Sequence, residues 1–400
     1  MKLKINDDTL IILIYILSCG MIVGQLMGIQ MITSLSFALS FVVVSLIWAV
    51  HLDKMNVLDF LSVAIIFLSL LSAFITCRNF SVGYFYKWLM FSAVFMYFSS
   101  CLKIKIQETT IKALFGINFI LSISCVLAYI IRFDEAFYIT NTGVRYLKFD
   151  LYNPNSLALF LVGIVSTGML YCAIYQVKLW KRICYISIFL FLIIKTLSRT
   201  SLIAVLFFVA ISVIFMRKKY YYLPKNGVFN LIISVFPLLF AMVYLSLIGN
   251  VNQNGFLSVL ISEGKELDSR QYVWKYAFEL FEKSPVMGSY GYVTTTSEFS
   301  QMHNSHVDVL ASYGIVVFVL VVLFLFIVLK ESIRKSRETK RSLSVWAFIM
   351  CLMLGSGEAI LFSGGLSFYL MVGQFLLFSN ASAGNWESWN REVYNEKQDC

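Results

Sequence analysis

Apolar residues run through this chain in blocks of about twenty, separated by short polar breaks. The blocks are Thr9–Gly28, Met31–Val50, Val57–Thr76, Val82–Leu102, Ile111–Ile131, Ser156–Tyr175, Val228–Gly249, Val307–Leu329, Ser344–Leu361 and Gly365–Phe378. A helix needs about 20 apolar residues to cross the hydrocarbon of a bilayer, so each block reads as a membrane span. One further block, Ile183–Phe215, is 33 residues long, too long for one comfortable span and short for two.

Basic residues decide that case, because Lys and Arg collect in cytoplasmic loops. Lys178, Lys181 and Arg182 precede the block, and Arg217, Lys218 and Lys219 follow it. With both clusters inside, the block goes out and returns as two short helices hinged near Lys195–Thr200. That makes twelve spans with both termini inside, and 21 of the 32 basic residues fall in inner segments. A single helix would send the Lys330–Arg341 cluster to the wrong side. The expected fold is an all-α polytopic membrane protein, one integral domain over residues 1–400. An outer loop covers 132–155, a large extracytoplasmic loop covers 250–306 between helices nine and ten, and a cytoplasmic tail covers 380–400. The first block, behind Lys2 and Lys4, resembles a signal peptide but lacks a small-residue cleavage site, so it is read as a retained span.

Composition agrees with this pattern. Hydrophobic residues make up 59% of the chain, charged residues 14%, and mean hydropathy is +0.80. Soluble domains carry about a quarter charged residues, so a soluble protein is excluded. The net charge of +10 is read as orienting helices rather than binding nucleic acid, since acidic residues outnumber basic ones in the large loop. The eight cysteines lie mostly inside apolar runs and show neither zinc spacing nor a disulfide framework.

Chemistry is sought where charge meets membrane, because charge is costly there. Arg199 sits at a tight Ser198-Arg199-Thr200 corner, recessed below the outer headgroups. Arg145 and Arg270 come from the two outer loops; a guanidinium fork binds phosphate oxygens in pairs. Around Arg270, positions 273, 274, 277, 278, 280 and 281 are apolar at helical spacing, predicting an amphipathic helix at the outer interface. Ser284-Pro285 ends it, and Gly288 and Gly291 predict a close-packed return. His303 and His306 follow, where a proton acceptor could activate a sugar hydroxyl. The plainer account of that segment is a helix start, with Ser305 as N-cap and Asp308 completing a capping box. His-x-x-His lacks a third ligand, so no metal is expected. Glu358, beside Gly355-Ser356-Gly357, either pairs with an arginine or lines a polar cavity where the eleventh span breaks.

Taken together, these motifs resemble the O-antigen polymerase and O-antigen ligase family of bacterial envelope proteins. Arg145 with Asn153-Pro154-Asn155-Ser156-Leu157-Ala158 is similar to its first motif, and Ser198-Arg199-Thr200 to its corner between two short spans. Arg270 with Trp274, Pro285 and Gly288, then His303-Asn304 and Gly314, is similar to its large-loop signature. His303-Asn304 and Gly314 fit the ligase pattern, but Val317 stands where ligases carry Gly, Thr or Tyr, which favours polymerase. The resemblance implies a glycosyltransferase on the outer face of the bacterial inner membrane. It would move a glycan block from undecaprenyl diphosphate onto a lipid-linked repeat unit, inverting the anomeric centre without metal or cofactor. Arg145, Arg199 and Arg270 would hold the diphosphate. His303 would deprotonate the acceptor and His306 orient it, with Asn155, Asn304 and Glu358 in support. Implied partners are the lipid-linked oligosaccharide, membrane lipid, a flippase and a chain-length regulator. The rivals are a ligase acting on the lipid A core and a twelve-helix secondary transporter. The transporter should show two related halves, whereas the polar features here cluster in the second half.

Overall fold

The computed structural model describes residues 6–27, 29–52, 55–77, 82–131, 133, 137–139, 145–147, 154–217, 226–250, 265–290, 302–339, 342–358 and 366–381. Among these it is nearly all helical, with thirteen helices and one two-stranded hairpin. The first half holds α1 (Asp7–Leu26), α2 (Gln30–Val50), α3 (Val57–Thr76), α4 (Val82–Lys103) and α5 (Glu108–Ile131). The hairpin follows, β1 (Phe137–Ile139) pairing antiparallel with β2 (Arg145–Leu147) so that Tyr138 faces Tyr146. Then come α6 (Pro154–Ile174), α7 (Leu179–Lys195), α8 (Arg199–Arg217) and α9 (Gly227–Asn250). The chain closes with α10 (Lys265–Lys283), α11 (Ser305–Glu338), α12 (Ser342–Leu354) and α13 (Leu366–Asn380).

Seven helices are long and apolar enough to cross a membrane by length and composition; α8, α12 and α13 contribute shorter apolar stretches. The helices form an inner and an outer set. Residues from Met90 to Leu102 of α4 are buried without interruption, and α6, α12 and α13 are similarly enclosed. The outer set, including α2, α3, α5 and α9, buries one stripe and presents large apolar side chains such as Phe60, Phe67, Phe119 and Val228. An apolar exterior this extensive needs lipid rather than water against it.

Local sequence explains the boundaries. Asn56 and Asp59 form a reciprocal capping box that starts α3, and Asp59 also pairs with Lys103 at 2.5 Å. Both of these side chains are buried, so α3 and α4 are tied at that end. The long apolar block resolves into α7 and α8, with Thr196, Leu197 and Ser198 as the hinge and Leu197 at φ +59°. The two-helix reading of the block is therefore the observed one.

Two expectations need correction. The block Ser344–Leu361 is not one helix: α12 ends at Leu354, and Gly355–Glu358 form a turn. Apolar content continued past the break, but Gly355 and Gly357 lower helix propensity where Asn304 and Ser305 seize the turn's carbonyls. The amphipathic helix α10 does not lay its apolar face on lipid. Val273, Trp274, Ala277 and Leu280 are buried with Ala241 of α9 and with Met302, Val307 and Ala311. Protein surface of matching shape competes better for that face than a bilayer interface does. The tail beyond 381 and the loop segments 251–264 and 291–301 lie outside the described residues.

Candidate functional site

Two glycines hold α10 against α11. Gly314 interrupts α11 at φ +78°, and Gly288, after α10, has φ +69°. A Cβ on Gly288 would lie 2.4 Å from the Ser312 carbonyl, and one on Gly314 would lie 2.2 Å from the Val286 carbonyl. Ser289 N–H donates to Ala311 (2.7 Å) and Ile315 N–H to Pro285 (2.8 Å), so the return strap fills the gap in the helix ladder. Only glycine permits both the positive φ and this approach. The strap fixes where α10 lies, and hence where Arg270 stands.

The segment entering α11 is held at every residue. Trp274 Nε1 donates to the Met302 carbonyl at 2.8 Å. His303 takes a left-handed backbone, φ +47°, a conformation uncommon outside glycine that costs free energy and persists only where neighbours impose it. Asn304, wholly buried, is the N-cap: its Oδ1 accepts from His306 N and Val307 N, both at 3.0 Å. The expected cap, Ser305, is instead the first helical residue, and its N–H and Oγ reach the Gly355 and Glu358 carbonyls. Asn and Ser rank alike as caps, so composition could not choose between neighbours.

Asn304 also donates to the carbonyls of Pro237 (2.7 Å) and Ser356 (3.1 Å). Pro237 lies inside α9, where its ring removes one ladder bond and loosens the turn before it. His306 Nε2 lies 2.6 Å from the Ser234 carbonyl of that turn. A carbonyl only accepts, so Nε2 carries the hydrogen. His306 is buried and braces the Pro237 turn of α9.

Glu358 gathers the remaining groups. Its Oε1 lies 3.1 Å from Arg270 Nη2 and its Oε2 lies 3.3 Å from His303 Nδ1. The carboxylate side chain is 5% exposed, that of Arg270 17% and that of His303 28%. One guanidinium balances one carboxylate, which makes the buried charge tolerable. Facing an ionised carboxylate, His303 donates from Nδ1, and Nε2 is left as the proton acceptor on the more exposed edge. Thr200 packs on the same turn: a Cβ at Gly357 would lie 2.7 Å from its Oγ1. The α7–α8 hinge thus borders the site, with Arg199 exposed beside it.

Of the eight residues singled out from sequence, Arg270, His303 and Glu358 meet directly, and Asn304 and His306 frame them. Arg199 lies at the adjoining corner. Arg145 is exposed on β2 with its guanidinium 4.2 Å from the Phe137 ring centre, and no contact among the described residues joins it to Glu358. Asn155 stands half-buried at the start of α6. Sequence reading missed Trp274 as the anchor of Met302 and the Pro237 turn of α9 as the place where Asn304 and His306 bond. A proline inside an apolar run was the available signal for the second.

Residues 184–322 match the family described as O-antigen ligase. Neither curated proteins nor solved structures gave a match. The matched segment begins in α7 and ends inside α11, so it takes in the hinge corner, Arg270, the glycine strap and both histidines. Through that segment the chain is similar to the O-antigen ligase family, which supports the resemblance to O-antigen polymerases and ligases.

Proposed function

We propose that this protein is a surface-polysaccharide polymerase. It transfers a growing glycan from undecaprenyl diphosphate to a lipid-linked repeat unit, working on the extracytoplasmic side of the inner membrane with twelve spans. The Arg270–Glu358–His303 group carries the reading. Glu358 holds Nδ1–H of His303, so Nε2 accepts the proton of an acceptor hydroxyl as its oxygen bonds to the anomeric carbon. The bond from that carbon to the diphosphate oxygen breaks, and the electron pair leaves with the diphosphate. The guanidinium edge of Arg270 turned away from Glu358, together with Arg199, offsets the charge that develops there. Attack opposite the leaving group inverts the centre.

A ligase acting on the lipid A core uses the same chemistry, and the family match is compatible with either. Deleting the gene separates the two readings on a gel of surface glycan. A ladder collapsed to a single attached repeat means polymerase; no attached repeat at all means ligase. An unchanged ladder removes both.

A further inference from the structure

A cavity lies between α5, α6 and α7, away from the Arg270–Glu358–His303 group. It holds about 550 Å³ and is lined mostly by carbon, including Phe115, Phe119, Tyr171 and Tyr185. The start of α7 forms its rim and the end of α7 forms the hinge near Gly357, so the two sites are separated by the length of α7, roughly 25 Å for 17 residues. Lys112 and Lys181 stand on the rim. Trp180, exposed next to Lys181, marks the level at which aromatic rings meet lipid headgroups. Deeper in, Asn118 and Tyr185 are engaged within the protein: both donate to the Ile164 carbonyl, at 3.3 and 2.9 Å. An apolar chain with an anionic head at the rim fits both ends.

We propose that this groove binds an anionic membrane phospholipid, one acyl chain inside and the phosphate between Lys112 and Lys181. Basic pockets between membrane helices bind such headgroups, at about 1 kcal/mol per basic residue near the surface. Lys112 is already paired with Glu108 at 2.8 Å, so Lys181 supplies most of the charge. Gly116 lines the cavity, and a Cβ there meets nothing within 4 Å. A larger side chain at that position enters open space and fills the groove without disturbing the helices.

Native mass spectrometry of the full-length protein in detergent, titrated with phosphatidylglycerol or phosphatidylcholine, tests this. Wild type should retain phosphatidylglycerol in preference. Lys181→Gln should lower that preference about fivefold, the equivalent of one basic residue, and Lys112→Gln less. Gly116→Leu should remove tight retention of both lipids while the protein keeps its melting temperature. Equal retention of the two lipids by wild type overturns the proposal, as does Gly116→Leu binding like wild type. Displacement of phosphatidylglycerol by equimolar polyprenyl phosphate would also overturn it, assigning the groove to the lipid carrier instead.

Discussion

His303 and His306 are three residues apart and do different work. His303 sits on a left-handed backbone with its ring partly open and Nδ1 against Glu358; His306 is enclosed and donates to the Ser234 carbonyl. Replacing His303 with Gln keeps a hydrogen-bonding side chain but removes the proton acceptor. Activity should fall by about 10²–10⁴-fold, the contribution of a general base. Glu358→Gln should fall with it, since the amide does not hold the Nδ1–H tautomer. His303→Gln should accumulate normally in the membrane, whereas Glu358→Gln also leaves the Arg270 charge unpaired and should lower abundance as well; glycan ladders against immunoblots measure the two quantities separately. His306→Ala should behave in the opposite way. It removes a buried hydrogen bond to the Ser234 carbonyl and leaves a cavity in its place, a cost of about 1–3 kcal/mol together, so protein abundance should drop while activity per molecule survives. A dead but abundant His306→Ala would move the chemistry to that ring.

At the scale of elements, the glycine pair decides whether Arg270 reaches Glu358. Gly314→Ala would require a Cβ 2.2 Å from the Val286 carbonyl on a positive-φ backbone. Strain and overpacking together should cost at least about 2 kcal/mol. A lower melting temperature in detergent should accompany loss of polymer, whereas Gly116→Ala, facing open space, should leave both intact. The elements also show what sequence can tell. The α7–α8 hinge was legible, because two flanking basic clusters required the chain to return. The face of α10 was legible from its spacing, but its neighbour was not: periodicity says that a face is covered and is silent on whether lipid or protein covers it. The end of α12 was legible as a possible break at Gly355-Ser356-Gly357, but not its hydrogen bonding from Asn304 and Ser305, some fifty residues away in the chain. Arg270, His303 and Glu358 could each be nominated as costly or reactive groups, yet their meeting is a tertiary fact. Arg145 was nominated on the same ground, and its ring contacts lie in a loop hairpin instead.

For the whole molecule, the proposed chemistry needs α10 and the entry to α11 outside the cell, and the far end of α11 inside. Lys275 is exposed on α10, and Glu338 is exposed at the last residue of α11. In intact spheroplasts a membrane-impermeant thiol reagent should label Lys275→Cys and spare Glu338→Cys, in a background where the native cysteines have been replaced. The reverse pattern would remove the proposed mechanism, because lipid-linked glycan is polymerised outside.

Asn304 bonds at once to the carbonyls of Pro237 and Ser356, and Ser305 to those of Gly355 and Glu358. This has a bearing on biosynthesis. A ribosome delivers α9, α10 and the start of α11 to the membrane before α12 and its turn emerge. Until then Asn304 lacks one of its clamps, and nothing orients the imidazole of His303. The family-matching segment, residues 184–322, is complete at that moment and still lacks its carboxylate. A nascent chain stalled before Gly355 would therefore hold every arginine and histidine of the site and polymerise nothing. On the proposed function, competence arrives with the turn after α12, so unfinished chains would not consume donor.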